Sequence, residues 1–142
     1  MSDLEIKIQL CEDGRAPTLG TEDSAGWDCY ARTTLYLPPL ARGKVPLGFA
    51  MELPRGWEAQ GRPRSGLFVK HGVCAVFGTI DADYRNEVCA MLINLGQESY
   101  HVKPGDRVMQ LVLAPVYRPQ WTPAVTLSTT QRGTGGFGST GR

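Results

Sequence analysis

Apolar and polar residues alternate at period two along Leu4-Glu5-Ile6-Lys7-Ile8-Gln9-Leu10, the pattern of a half-buried strand. Similar short extended runs follow down the chain, divided by glycine and proline. Gly14 to Ser24, with two glycines, a proline and small polar residues, reads as a loop. Ala25 opens an extended segment that runs to Leu37 and stops at Pro38-Pro39, and Ala41-Arg42-Gly43 predicts a turn. Val45 to Leu53 is an apolar strand closed by Pro54-Arg55-Gly56, and Trp57 to Arg62 is a shorter one. Val73-Cys74-Ala75-Val76-Phe77 and Val88-Cys89-Ala90-Met91-Leu92-Ile93 are rich in strand formers and predict a β-hairpin, with residues 78–87 as its connection. Turns at Gly96-Gln97-Glu98 and Lys103-Pro104-Gly105-Asp106 lead into a strand from Val108 to Val116, after which hydrophobic periodicity ends.

One helix is predicted, over Gly66-Leu67-Phe68-Val69-Lys70-His71, with Ser65 as its N-cap and Gly72 as its C-terminal stop. Many short strands, one short helix and no internal repeat indicate a single all-β domain, a barrel or sandwich. Several strands are apolar on both faces, whereas a sheet exposing one face to water alternates. Their second faces therefore call for cover, from another sheet or another subunit.

Composition narrows the partners. The 142 residues suit one domain with a sizeable core. A formal charge of +1, from 15 basic and 14 acidic residues, gives no broad grip on nucleic acid, so any bound anion should be small and locally held. The polar, acidic start Met1-Ser2-Asp3-Leu4-Glu5 is unlike a signal peptide, and no apolar run is long enough to span a membrane. Cys11, Cys29, Cys74 and Cys89 lack metal-ligand spacing to one another or to His71 and His101, which reads as free thiols in a reducing, cytoplasmic compartment.

Three stretches carry more chemistry than their folding requires. Arg62-Pro63-Arg64-Ser65-Gly66 places a guanidinium and a hydroxyl beside the free N–H groups of a helix start, a setting for phosphate. The same residues could equally cap a helix and pair with a surface acid. The tail from Arg132 to Arg142 combines five glycines with Arg132, Ser139, Thr140 and the lone aromatic Phe137. Its backbone could close on oxyanions while Phe137 stacks on a base, or it could be a plain disordered terminus. In the hairpin connection, Asp81 and Asp83 are turn acids, a metal pair or a base that deprotonates water, and Tyr84 either fills the core or packs on a sugar. Asp28 is a candidate for Mg²⁺, and Gln110, a polar residue in an apolar strand, needs a partner if buried.

Together these residues resemble the five motifs of the trimeric dUTPase family, in order and nearly from end to end. Ala25-Gly26-Trp27-Asp28 resembles the first motif, Pro63-Arg64-Ser65-Gly66-Leu67 the second and Gly78-Thr79-Ile80-Asp81-Ala82-Asp83-Tyr84-Arg85 the third. Arg107-Val108-Met109-Gln110-Leu111 resembles the fourth, and Arg132 to Gly141 the fifth. The resemblance implies a distorted, jelly-roll-like β-barrel over residues 1–131 and a flexible Gly-rich arm over 132–142. It implies a homotrimer whose active sites lie between subunits, hydrolysing dUTP to dUMP and pyrophosphate with Mg²⁺ on the triphosphate.

By the same resemblance Asp81 activates the attacking water and Tyr84 packs on the deoxyribose where a 2′-hydroxyl would clash. Backbone around Gly78, Thr79, Ile80 and Cys89 reads the uracil edge. Arg64, Ser65, Gly66 and Gln110 hold phosphates, and Asp28 supports the water shell of the metal. Arg132, Gly138, Ser139 and Thr140 grip the substrate from the arm while Phe137 covers the base. Three positions depart from the family pattern: Trp27 for a Tyr or other aromatic, Asn86 for a Gly, and Ala75 for an Asn common in bacterial members. Two other readings use the same fold: a dCTP deaminase-like enzyme, for which Glu87 is the acid nearest the second hairpin strand, and a nucleotide-binding regulatory module without turnover.

Overall fold

The strand-forming runs and their Gly/Pro breaks give the following order in a computed structural model that describes residues 4–141. The strands are β1 (Lys7–Leu10), β2 (Thr18–Leu19), β3 (Trp27–Tyr30), β4 (Leu35–Leu37), β5 (Arg42–Pro46), β6 (Phe49–Glu52) and β7 (Trp57–Arg62). Then come α1 (Ser65–His71), β8 (Val73–Ala75), β9 (Gly78–Ile80), β10 (Cys89–Asn94), β11 (Tyr100–Val102) and β12 (Arg107–Pro115). The first three residues and the last lie outside this description, so Arg142 and the start of the N-terminal segment are not placed.

The domain is all-β, built from antiparallel ladders. The largest sheet has the order β2-β3-β12-β7-β9; β5-β10-β8 forms a second, and β1-β6 and β11-β4 are two-stranded. Among the described residues the expected barrel is thus a set of four sheets around one core. That core is formed by Leu37, Val45, Leu47, Phe49, Val73, Leu92, Val102 and Val108, all essentially inaccessible to water. Along β10, Ala90, Leu92 and Asn94 point inward while Cys89, Met91 and Ile93 face out, so a run that is apolar on both faces still has an inside and an outside. No helix of the described residues is long and apolar enough to cross a membrane.

The structure corrects several expected boundaries. The long strand from Val45 is broken at Leu47-Gly48, because Gly48 has φ +83 and a Cβ there would stand 2.6 Å from the Gly14 Cα. The turn expected at Arg42-Gly43 is instead the start of β5, held by β10 (Gly43 opposite Leu92). Ser65 is the first helical residue and Arg64 occupies the N-cap position with no side-chain cap bond, while Gly72 closes the helix with φ 70 as expected. The hairpin pairing holds, with Leu92 opposite Ala75 and Asn94 opposite Val73. Its connection is not all loop, however: Gly78–Ile80 leave the hairpin and pair with β7, Gly78 opposite Gly61 and Ile80 opposite Ala59. That pairing satisfies the outer edge of β7, whose backbone groups would otherwise lack partners.

β1 departs most from expectation. It pairs with β6, yet all four of its residues are exposed, Ile8 and Leu10 among them. The alternation is present, but nothing among the described residues buries the outward apolar positions.

Asn94 is the one buried polar side chain of the described core. Its amide donates to the carbonyls of Leu37 (2.9 Å) and Glu98 (2.8 Å), and its oxygen accepts from Gly96 N–H (2.9 Å). One side chain thereby joins β10 to β4 and to the turn before β11. Asn94→Ala would strand three backbone groups and leave a cavity, and we expect a loss of about 2–4 kcal/mol. Urea denaturation of the variant against the parent measures it, and a loss below about 1 kcal/mol would contradict this account.

Candidate active site

The central strand β12 carries the oxyanion-binding candidates. Gln110 lies opposite Asp28 on β3 and opposite Arg62 on β7, so these three side chains share one face of the large sheet. The Gln110 amide donates to the Pro63 carbonyl at 2.8 Å, the partner its position demanded. A Cβ at Gly26 would displace the Gln110 amide from this position. Arg64 donates through Nε to Asp28 Oδ1 (2.9 Å) and through Nη1 to the Arg107 carbonyl (3.1 Å). Arg107 Nη1 also lies 3.5 Å from Asp28 Oδ2, so one largely buried carboxylate sits between two guanidinium groups. Ser65 and Gly66 follow Arg64 directly and are exposed at the helix start. The cluster is a fixed set of cationic and amide donors, which suits a phosphate chain.

A second region is a cavity of about 520 Å³ lined by Gly78, Thr79, Ile80, Tyr84 and Cys89, the residues expected to read base and sugar. Val76, Met91 and Met109 supply apolar wall, and Lys44 and Glu87 supply charge. Exposed β-strand backbone beside an apolar wall can hold a flat ring and pair with its polar edge. Lys44 was not anticipated; it lies opposite Met91 across β5 and β10, a neighbour that only the register reveals. Ala75 is buried, so at the position of the family's Asn there is no side chain reaching toward a base.

The turn after β9 is closed by Tyr84 N–H to the Asp81 carbonyl (3.1 Å). Arg85 Nη1 braces it through the carbonyls of Ala82 (2.6 Å) and Tyr84 (3.3 Å). Asn86 replaces a glycine without strain: among the described residues the non-glycine positions with positive φ are Asp13, Leu40 and Phe137. Asp81 is exposed and lines a neighbouring depression of about 770 Å³, together with Thr79, Asp83, Arg85 and Glu58. Thr79 is common to the two hollows. In the tail, Arg132, Gly138, Ser139 and Thr140 surround a hollow of about 510 Å³, and the Phe137 ring is fully exposed. The sequence-predicted residues therefore fall into separate groups: the Asp28–Arg64–Gln110 cluster, the base cavity, the Asp81 depression and the arm.

Partners and burial set the protonation of Glu87, Cys29 and Cys89. Glu87 accepts from Arg32 Nε (2.7 Å) and Nη2 (2.9 Å) and from the Gly48 N–H (2.9 Å). The Arg32 fork holds its carboxyl below the ordinary glutamate range, with Gly48 adding to the effect against the cost of burial. A carboxylate so engaged is poorly suited to take up a proton as a deaminase acid would. Burial, then the negative charge of Asp28, pushes the Cys29 thiol up to about 12, and burial also raises Cys89. All four cysteines are free thiols.

These features define an all-β domain with an open cavity beside β9 and β10 and a guanidinium cluster around Asp28. The family model described as dUTPase matches residues 12–141. A deoxyuridine 5'-triphosphate nucleotidohydrolase of Maricaulis maris is 47% identical over 150 residues, covering 99% of each chain. Its counterpart in Ehrlichia canis is 48% identical over 148 residues, covering 99% of this chain and 97% of the other. The chain belongs to the dUTPase family. In fold it is similar to a Staphylococcus bacteriophage 80alpha dUTPase solved with dUpNHpp, at TM-score 0.90 and 23% identity, covering 97% of this chain and 99% of that one. The phage phi11 dUTPase, in a structure that describes a structural Mg(II) ion, matches with TM-score 0.81 and 20% identity over 88% of this chain and 99% of that one.

The Glu87 clasp has a pH signature. Because the folded-state pKa is depressed, its contribution is complete above the ordinary glutamate value, about 4.3, and is lost as pH falls through the lower folded value. Glu87→Gln should therefore lower Tm at pH 7, with the gap to the parent narrowing as pH drops below about 4. Thermal melts across pH 3–8 read this out; a gap that stayed constant would place the effect elsewhere.

Proposed function

We infer that this protein hydrolyses dUTP to dUMP and pyrophosphate, removing a precursor of uracil in DNA and supplying dUMP. The observation that carries the reading is a cavity lined by residues of β9 and β10, in a chain of the dUTPase family that also holds a fixed arginine–glutamine cluster. Backbone at Gly78–Ile80 and Cys89 pairs with the uracil edge; cytosine reverses that donor and acceptor pattern and leaves buried groups unpaired. Tyr84 closes the sugar side of the same cavity and leaves no room for a 2′-hydroxyl. Arg64, Ser65, Gly66 and Gln110 take the phosphates, and Asp81, on the flank that shares Thr79 with the cavity, takes the proton of the water that attacks the α-phosphorus. Arg132, Gly138, Ser139 and Thr140 close over the phosphates from the arm of residues 132–142, and Phe137 covers the base. Positioning and electrostatic stabilisation suffice for this chemistry, without a covalent intermediate.

Mg²⁺ fits the donors present. Among the described residues no three His, Cys, Asp or Glu side chains gather into a metal cage. Asp28 keeps free lone pairs beside its bonds to Arg64 and Arg107. Such a set suits an ion that keeps its waters and rests mainly on substrate phosphates, with Asp28 accepting from one of those waters. When bound, the ion neutralises charge that develops on the leaving pyrophosphate.

The protein works as a homotrimer with sites shared between subunits. Its separate groups of functional residues support this, as does the segment after β12, where Tyr117, Trp121, Val125 and Leu127 are almost wholly exposed. An apolar groove bounded by Ile6, Ile8, Trp27, Met51 and Leu113 stands open beside β1. Exposed apolar stretches and open apolar grooves mark surfaces that a partner covers, here further copies of the chain. The four free thiols suit the cytoplasm.

Incubation with dUTP, dCTP or dTTP and Mg²⁺ should give pyrophosphate from dUTP alone; ammonia from dCTP would identify a deaminase, and tight binding without products a regulatory module. Asp81→Asn should retain dUTP binding and lose at least about 100-fold in kcat, and undiminished turnover would remove Asp81 from its role. Removing residues 132–142 should abolish most turnover while sedimentation still reports the oligomer. Trp121→Glu with Val125→Glu should instead shift the protein toward monomers.

A further inference from the structure

Arg32 belongs to none of the motifs that define the site, and its surroundings give it a task. Its guanidinium meets Glu87 as a two-point fork, and Gly48 N–H adds a third bond to the same carboxylate. The two side chains are about a quarter exposed, at 30% for Arg32 and 25% for Glu87, so they are neither free in solvent nor buried as a core pair. Arg32 is fixed in turn, its own N–H donating to the Pro46 carbonyl at 2.9 Å. Bidentate geometry with an additional backbone donor separates this pair from surface ion pairs that contribute little.

The main chain of Glu87 is at work on the other side. Its carbonyl accepts the Tyr84 hydroxyl at 3.1 Å and faces the Cys89 thiol at 3.7 Å. The next residue, Val88, is locked by N–H to Phe49 O (2.8 Å) and by its own carbonyl to Leu47 N–H (2.9 Å). Glu87 and Tyr84 both line the base and sugar cavity. The Tyr84 ring, partly exposed, is thus tethered at its hydroxyl to the main chain of a residue whose side chain is clasped by Arg32 and Gly48 and whose following peptide N–H is held by Phe49.

We propose that Arg32 and Glu87 are a positioning pair for substrate selection: the guanidinium, acting through Glu87, holds Tyr84 and the backbone before Cys89 where a deoxyribose fits and a ribose does not. The proposal rests on the dUTP reading above and assigns Arg32 and the Glu87 carboxylate a role exerted through Tyr84. Without the clasp, Glu87 can shift toward solvent and release the Tyr84 hydroxyl. The cavity then widens on its sugar side, so the competing ribonucleotide gains access while dUTP binds less well. Chemistry at Asp81 depends on the other end of the turn, which Arg85 braces independently.

The test is steady-state kinetics on dUTP and UTP for the full-length parent, Arg32→Ala, Glu87→Gln and the double variant. Each single variant should lower the dUTP/UTP ratio of kcat/KM by roughly tenfold, chiefly by raising KM for dUTP with little change in its kcat. The double variant should do no more than either single one, because both remove one linkage. If Glu87→Gln does not fold, Glu87→Asp, which keeps the charge but cannot reach both partners, carries the same expectation. A lowered Tm with an unchanged ratio would make the pair merely structural and overturn the proposal, as would additive losses. A parent that fails to hydrolyse dUTP would overturn the activity reading and this proposal with it. A parent that does, with unaltered selectivity in the variants, would overturn this proposal alone.

Discussion

Strand β12 is hydrogen-bonded along both edges, to β3 on one side and β7 on the other. Once the backbone groups of its polar-capable interior are paired in this way, its register dictates where side chains from three distant segments meet. Gln110 is brought level with Asp28 and Arg62, and the irregular step between Arg107 and Met109 lets both Val108 and Met109 turn into the core. Arg107 then offers its carbonyl to Arg64 and its guanidinium to Asp28. A slip of one residue would send Gln110 to the opposite face and leave the Pro63 carbonyl without its donor.

Around that frame the protein places charge sparingly. With a net charge of +1 it has no general attraction for polyanions. It concentrates guanidinium groups beside a single carboxylate that keeps them oriented before any ligand arrives. The same device appears at Glu87, where an arginine and a backbone N–H fix an acid next to the base cavity. In both places the carboxylate serves as an orienting partner, whereas Asp81 is exposed and has no arginine or lysine within ion-pair distance among the described residues.

The sequence was most readable where charged, hydroxyl and glycine residues crowd into a short window. Arg64-Ser65-Gly66, the glycine-rich arm and the Gly78 to Arg85 turn all stood out, and α1 fell within a residue of its expected limits. What stayed hidden depended on contacts distant in sequence. Gly78–Ile80 looked like the loop of a hairpin because their partner strand, β7, lies earlier in the chain and is not their neighbour in the hairpin. Arg32 gave no local signal, since its partner is more than fifty positions away. Gly48 breaks a run that periodicity alone would continue, through a positive φ and a close approach to Gly14 that no pattern encodes. The short strands β2 and β11 carry too few residues for any period to register.

The middle strand of the largest sheet is also the last strand made. Until β12 leaves the ribosome, β3 and β7 have no common neighbour, and the pairing that joins them must close a loop spanning most of the domain. At synthesis rates of about 5–20 residues per second, those open edges persist for seconds. Non-local antiparallel pairing of this kind folds slowly even when the chain is complete. The arrangement that aligns Asp28, Gln110 and Arg62 in the finished protein therefore leaves the nascent chain with unpaired strand edges until synthesis is nearly complete.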